Sequence, residues 1–354
     1  MAPTWIACMA LSALMPWFVF RQQTRTRAAV AAFTYFAVAS APIPWITERP
    51  AVGIGLLLTA SAILTFPWIA LWHNDPGQRF WRIPAALLLS AVPPIGIINW
   101  ASPLTAAGLL FPGTGLACLA AAALAEAVWP VHPKTVAAGI LAANLLYRAP
   151  SQPLGIQALN TSDSQILFQK EESTRLAIHT STSNLTILPE GAVRRWTEAT
   201  EAYWDGTIND LKSTHRTALI GVGLPIPNSD EFHNSVITIG TSQTARFDQR
   251  IPIPLGMWKP FGPADGVPLN LTGPGTLKLG EHRLAVLICY EQLLIWPMVH
   301  SALEKPTLIV GISNASWTKH TYIPAAQEAC LQAWSRLFGI PYVSAVNGQY
   351  ENHP

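Results

Sequence analysis

Residues 284–291 read LAVLICYE: an apolar β-type run that ends on Cys289, with Tyr290 and Glu291 directly behind it. A thiol at the end of a buried strand is held at a fixed point facing a pocket. A thiolate is also the best nucleophile among the common side chains once a neighbouring group activates it. The alternative is a small core hydrophobe, because cysteine is among the most buried residue types.

Outward from this strand, β-type runs recur at 154–159, 185–188, 218–222, 235–241, 307–312 and 342–346. Between them, 164–178, 192–212, 293–303 and 324–338 read as helices. In 192–212, Trp196, Ala199, Tyr203 and Ile208 fall near helical spacing against polar residues, which predicts a helix covering one face of a sheet. Strands interleaved with helices predict a layered α/β domain over 149–354. The stretch 245–276 breaks the pattern: it is rich in Pro and Gly yet apolar, with Met257, Trp258 and Phe261 among its turn residues. Such a loop either dips toward lipid or lids a greasy pocket, or else packs on the domain's own core.

Before Pro150 the composition changes. About eleven charged residues lie in that half and about thirty in the rest, and only 12% of all 354 residues are charged where soluble domains carry about a quarter. A spanning helix needs about 20 apolar residues. Six stretches meet or approach this length, at 4–20, 28–46, 51–72, 83–100, 104–129 and 135–147, and they predict a six-span transmembrane bundle over 1–148. The Pro93-Pro94 pair should kink the fourth span. Arg21, Arg25, Arg27, Arg79, Arg82 and Lys134 fall in one set of loops and Arg49 in the other, which places the former in the cytoplasm. With an even number of spans, the domain after Arg148 lies on the far side of a bacterial inner membrane, in the periplasm. Cys8, Cys118, Cys289 and Cys330 have no paired spacing, so neither a metal site nor a disulfide framework is indicated. A net charge of +2 gives no nucleic-acid partner.

Three segments carry a resemblance. Residues 185–192 read LTILPEGA and put Glu190 at a strand end. ICYE puts Cys289 at another. Residues 308–317 read LIVGISNASW, followed by a helix ending in SRLFGIPYVSAVNG. In this order they resemble the nitrilase superfamily of carbon–nitrogen hydrolases. With six spans in front, the chain is most similar to the branch containing apolipoprotein N-acyltransferase and its relatives on conjugative plasmids.

The resemblance implies an αββα sandwich in which Glu190 is the general base and Cys289 attacks an ester or amide carbonyl to form a thioester, with no cofactor. Tyr290, Glu291, Asn314 and Trp317 match substrate-pocket positions, although Glu291 also reads as a partner of a helix N-terminus. The implied partners are a membrane phospholipid as acyl donor and proteins of the plasmid transfer apparatus. The family's lysine is missing: in Phe247-Asp248-Gln249-Arg250-Ile251-Pro252, Gln249 takes its place, and Lys259, ahead of Pro260-Phe261-Gly262, is the cation that could reach in from the loop. The family continues through further strands, so the sandwich is expected to be incomplete at its C-terminus or closed by a partner. The expected activity is acyl transfer from lipid to an amine; the other readings are a non-catalytic assembly factor that keeps the fold, and a membrane-tethered amide hydrolase.

Overall fold

The computed structural model describes residues 2–113, 115–129, 132–161, 167–242, 244–262, 265–318 and 321–348. Its first half is helical: α1 (Ala2–Ser12), α2 (Met15–Phe20), α3 (Arg25–Ala39), α4 (Ile43–Ile46), α5 (Pro50–Leu71), α6 (Arg79–Ala91), α7 (Ala107–Leu110), α8 (Leu116–Val128) and α9 (Pro133–Leu146). Proline opens α5 and α9, where its fixed φ suits the first turn and its missing N–H costs nothing. Thr24 caps α3 by accepting from the Arg27 amide. Two helical stretches, Arg25–Ile46 and Pro50–Leu71, are each 22 residues long and apolar enough to cross a membrane. Thr4–Phe20, Leu119–Val128 and Pro133–Leu146 are apolar but shorter.

Four expected spans are interrupted: 4–20 by a short turn between α1 and α2, 28–46 by one between α3 and α4, and two more widely. Instead of a kinked 83–100, α6 ends at Ala91, and short 3-10 turns follow at Ile95–Ile97 and Pro103–Ala106. Pro93 and Pro94 cannot supply the N–H groups a helix needs, and each biases its predecessor away from helix. The expected 104–129 divides into α7 and α8 around Pro112 and Gly113, the latter at φ 81°.

The second half holds β1 (Ile156–Ala158), α10 (Leu167–Thr180), β2 (Leu185–Ile187), α11 (Glu198–Ser213), β3 (Thr217–Pro225), β4 (Phe232–Ile239), β5 (Arg246–Asp248), β6 (Leu277–Leu279), β7 (His282–Ile288), α12 (Ile295–Leu303), β8 (Leu308–Asn314), α13 (Ile323–Phe338) and β9 (Tyr342–Asn347). Residues 164–166 of the first expected helix lie outside the described residues. Strands β5 and β6, each three residues long, were not expected.

The strands form two sheets, ordered β1-β2-β3-β4-β5 and β6-β7-β8-β9. Alternate residues of both meet in one core: Ile187, Leu219, Val236 and Phe247 from the first with Leu284, Val286, Ile288, Val310 and Ile312 from the second. Each such side chain contributes about 1.5–3 kcal/mol on burial. On the first sheet's other face, Ala218, Ile220, Val222, Ile237 and Ile239 are covered by Ile178 of α10 and by Trp204 and Leu211 of α11. The expected Trp196, Tyr203 and Ile208 do pack, partly buried, against this core, but the fully buried positions of α11 are others. The helix begins at Glu198 under a Thr197 cap, so Trp196 precedes it and its amide donates to Gly223 O. Trp204, Thr207 and Leu211 are its buried stripe.

Contacts divide the chain into two compact units. One joins Met1–Pro150 with Leu293–Val299 and His320–Ile340; the other holds Ser151–Gln292, His300–Lys319 and Pro341–Pro354. Thus α13 groups with the N-terminal helices. Tyr322 stacks on Trp5 at 4.4 Å and donates to Ala39 O at 2.7 Å. Arg336 donates to Asn144 Oδ1 at 2.7 Å and lies over the Tyr147 ring. At Gly108 a Cβ would overlap the carbonyl of Ala333, so only glycine lets α7 approach α13 this closely.

Candidate active site

β2 leads through Pro189 to Glu190, and β7 leads straight into Cys289, which opens a 3-10 turn, Cys289–Leu293. Cys289 sits at φ 53°, a left-handed conformation that a non-glycine residue holds only where the surroundings fix it. The turn lifts the sulfur off the strand axis. The structure brings the two sequence-expected residues together: the thiol hydrogen-bonds the Glu190 carboxyl, and the backbone amides of Asn314 and Tyr290 lie on the sulfur.

Glu190 is 7% exposed and bonded at both oxygens. Oε1 accepts from Asn234 Nδ2 at 2.6 Å and Oε2 from the Asn314 amide at 2.8 Å. Burial raises its pKa above the usual carboxylate range, against the pull of the bonds from Cys289, Asn234 and Asn314. A base held nearer neutrality suits proton transfer at physiological pH. The Cys289 thiol is pushed well up by burial and then by the Glu190 charge, so it rests as the thiol. A nucleophilic attack by this sulfur would require its proton to leave, and Glu190 is the acceptor in contact with it.

Gln249, 2% exposed, stands beside this pair. Its Nε2 donates to Ile288 O at 3.1 Å and its Oε1 accepts from Asn234 Nδ2 at 2.9 Å. Asn234 thus links Glu190 to Gln249, and reading β4 only from Ser235 missed it. Asparagine is depleted in strands, so a lone Asn beside the apolar run SVITI was the available signal.

Tyr290 and Asn314 reach the site through their backbone amides, and the other expected side chains have partners of their own. Glu291 is fully buried. Its Oε1 accepts from the amides of Arg250 (2.7 Å) and Ile251 (3.0 Å), and its Oε2 from that of Ile288 (3.1 Å). Arg250 Nε lies 3.4 Å from the same carboxylate, while its other nitrogens donate to Ser301 Oγ and Val286 O. Glu291 therefore ties the chain after β5 to the strand end that carries Cys289. Lys259 Nζ pairs with Asp265 Oδ1 at 2.7 Å, both side chains partly exposed. Tyr290 is buried, Asn314 accepts from Ser316 through its side chain, and Trp317 is 41% exposed. The 245–276 stretch divides between its two readings: Phe247, Ile251 and Val267 are buried, whereas Leu255 and Phe261 are exposed, the latter at 96%.

Gly221 of β3 sets where Glu190 lies. A Cβ there would overlap Pro189 O and stand 2.7 Å from Glu190 Cα. Gly221→Ala should cost about 1–3 kcal/mol through overpacking and, by displacing Glu190, change the rate at which a thiol reagent labels Cys289. A melting curve and a labelling rate indistinguishable from wild type would show that the contact does not position Glu190.

Two facing sheets with a buried carboxyl at one strand end and a cysteine at the strained end of another define a nitrilase-like α/β protein. The sequence is 31% identical over 324 residues to conjugal transfer protein TraB of Agrobacterium fabrum, covering 83% of this chain and 76% of that one. It is 30% identical over 350 residues to a probable conjugal transfer protein TraB of Sinorhizobium fredii, covering 92% and 89%. The chain belongs to the TraB family of conjugal transfer proteins. No family model matches it. Among solved structures it is similar to a carbon–nitrogen hydrolase from Helicobacter pylori, at 13% identity over 56% of this chain and 74% of that chain, with a TM-score of 0.44. An amidase from Nesterenkonia sp. gives 14%, 54%, 75% and 0.39 for the same measures.

Proposed function

We propose that this is a multi-pass inner-membrane protein of plasmid conjugal transfer whose periplasmic nitrilase-like domain, residues 149–354, moves an acyl group from a phospholipid to an amine through a Cys289 thioester. The observation that carries the reading is the buried contact between Glu190 and the Cys289 thiol under two backbone amides. In the reaction the sulfur attacks the ester carbonyl while its proton passes to Glu190. The oxyanion takes its hydrogen bond from the Tyr290 amide, the Asn314 amide being held by Glu190. The lysophospholipid alkoxide leaves with the proton from Glu190. The acceptor amine then attacks the thioester, loses a proton to Glu190, and the departing thiolate takes it back.

The membrane part of this reading draws support from the two long apolar helices and from α13. The contacts of α13 fall at Trp5, Ala39, Gly108 and Asn144. These are the ends of helices that the loop charges put on the far side, where the globular domain is expected. A fatty acyl donor then need not leave lipid to reach the thiol. Exposed Phe261 and Leu255 suit contact with an apolar partner such as lipid.

A second reading, a non-catalytic assembly factor, is favoured by Gln249. Both ends of its amide are engaged, and a cation 4 Å from a thiolate at an effective dielectric of 20 would have supplied about 4 kcal/mol. Mating frequency separates the two. Cys289→Ala at normal protein level should lower plasmid transfer if the thioester is needed; undiminished transfer excludes catalysis as the required role.

A further inference from the structure

Away from the thiol, α1, α2 and α3 enclose a groove of about 870 Å³ in the N-terminal unit. Leu11 and Phe18 on one side and Val30 on the other make its walls apolar, and these three side chains are 63%, 54% and 61% exposed. One end is polar, closed by Gln22, Thr26 and Arg27. From Arg27 to Tyr35, eight residues along α3, the groove runs about 12 Å at the helical rise.

The charge at the polar end is one-sided. Arg25 and Arg27 lie in the first turn of α3, which holds no acidic residue, although the positive end of a helix dipole disfavours cations. Arg21 lies over the Trp17 ring, 4.9 Å from its centroid. Among the described residues none of these three guanidiniums forms an ion pair. An apolar channel as long as a stretch of acyl chain thus ends at Arg27, whose guanidinium has a neutral partner, Gln23, and which Arg21 and Arg25 flank in sequence beside Trp17. We propose that this groove binds one acyl chain of an anionic phospholipid, with the lipid phosphate at Arg27 and the Thr26 and Gln22 side chains. The site is separate from acyl donation at Cys289 and rests on the membrane-spanning reading alone. Its lipid belongs to the leaflet on the side of the arginine-rich loop.

The test uses the full chain in detergent with phosphatidylglycerol or phosphatidylcholine of identical acyl chains, or palmitate, and native mass spectrometry to read what stays bound. Retention of one phosphatidylglycerol in preference to phosphatidylcholine is expected. Arg27→Gln should weaken it about fivefold, the effect of one basic residue at an anionic lipid surface. Val30→Trp, at an exposed groove position, should block binding while leaving the melting temperature unchanged. Equal retention of the two lipids, retention of palmitate alone, or wild-type binding by Arg27→Gln would each overturn the proposal. Recovery of the full-length chain from the soluble fraction without detergent would instead overturn the spanning reading beneath it.

Discussion

Glu291→Ala should destabilise the globular unit by about 3–5 kcal/mol, the usual cost of stripping one partner from a buried ion pair. The carboxylate accepts three backbone amides and faces Arg250, and neither side chain reaches solvent. Deletion would leave the Arg250 charge and the amides of Arg250, Ile251 and Ile288 without their acceptor. Against a total stability of about 5–15 kcal/mol, this would lower the melting temperature by about 10 °C and reduce the protein level in cells. Arg250→Met combined with Glu291→Leu should recover only part of the loss, since it removes the orphaned cation but not the orphaned amides. An unchanged melt for Glu291→Ala would show that this carboxylate does not hold the strand end in place.

Cys289→Ser should abolish labelling by an alkyne-tagged palmitoyl ester, and Glu190→Gln should slow it about 10²–10⁴-fold, the range for loss of a positioned general base. The pH dependence follows from the direction of each shift. Glu190 must be ionised to take the proton, and burial raises its pKa, so labelling should fall away on the acid side at a higher pH than for an ordinary carboxylate. Cys289, pushed up, supplies no pre-formed thiolate at neutral pH, so ordinary alkylation by iodoacetamide should be slow there and rise only in strong alkali. Gln249→Lys tests the missing cation: faster labelling would show that the site lacks only charge, and labelling that stays undetectable in both wild type and this variant would sink the acyl-transfer reading. Labelling by short amides and not by the palmitoyl ester would point to hydrolysis instead.

The strand-end positions of Glu190 and Cys289 were legible in the sequence because β2 and β7 are buried apolar runs whose register ends abruptly at a polar residue. Gln249 could be read only through the family pattern, since nothing in FDQRIP itself marks the position that bonds Ile288 and Asn234. The role of Glu291 was not legible. A carboxylate next to a nucleophile looks like pocket chemistry, but two of its three amide partners, Arg250 and Ile251, lie about 40 positions away and close a tertiary contact that spacing cannot show. Strands β5 and β6 escaped because three residues give no period to detect. The broken fourth span was half legible: the Pro93-Pro94 pair announced a disturbance, but hydropathy averaged over a window cannot tell a kink from an end.

The company that α13 keeps has a practical and an evolutionary side. Asn314, whose amide holds Glu190, is the last residue of β8, and only a few residues later the chain enters a helix whose tyrosine and arginine are anchored among the N-terminal helices. A polypeptide begun at Ser151 would carry Tyr322 and Arg336 without their seats, and should precipitate rather than yield a water-soluble fragment. Selection acting on the N-terminal helices is thereby felt in the C-terminal half, and grafting either onto a distant relative should fail unless Ile323–Phe338 travels with the helices that receive it.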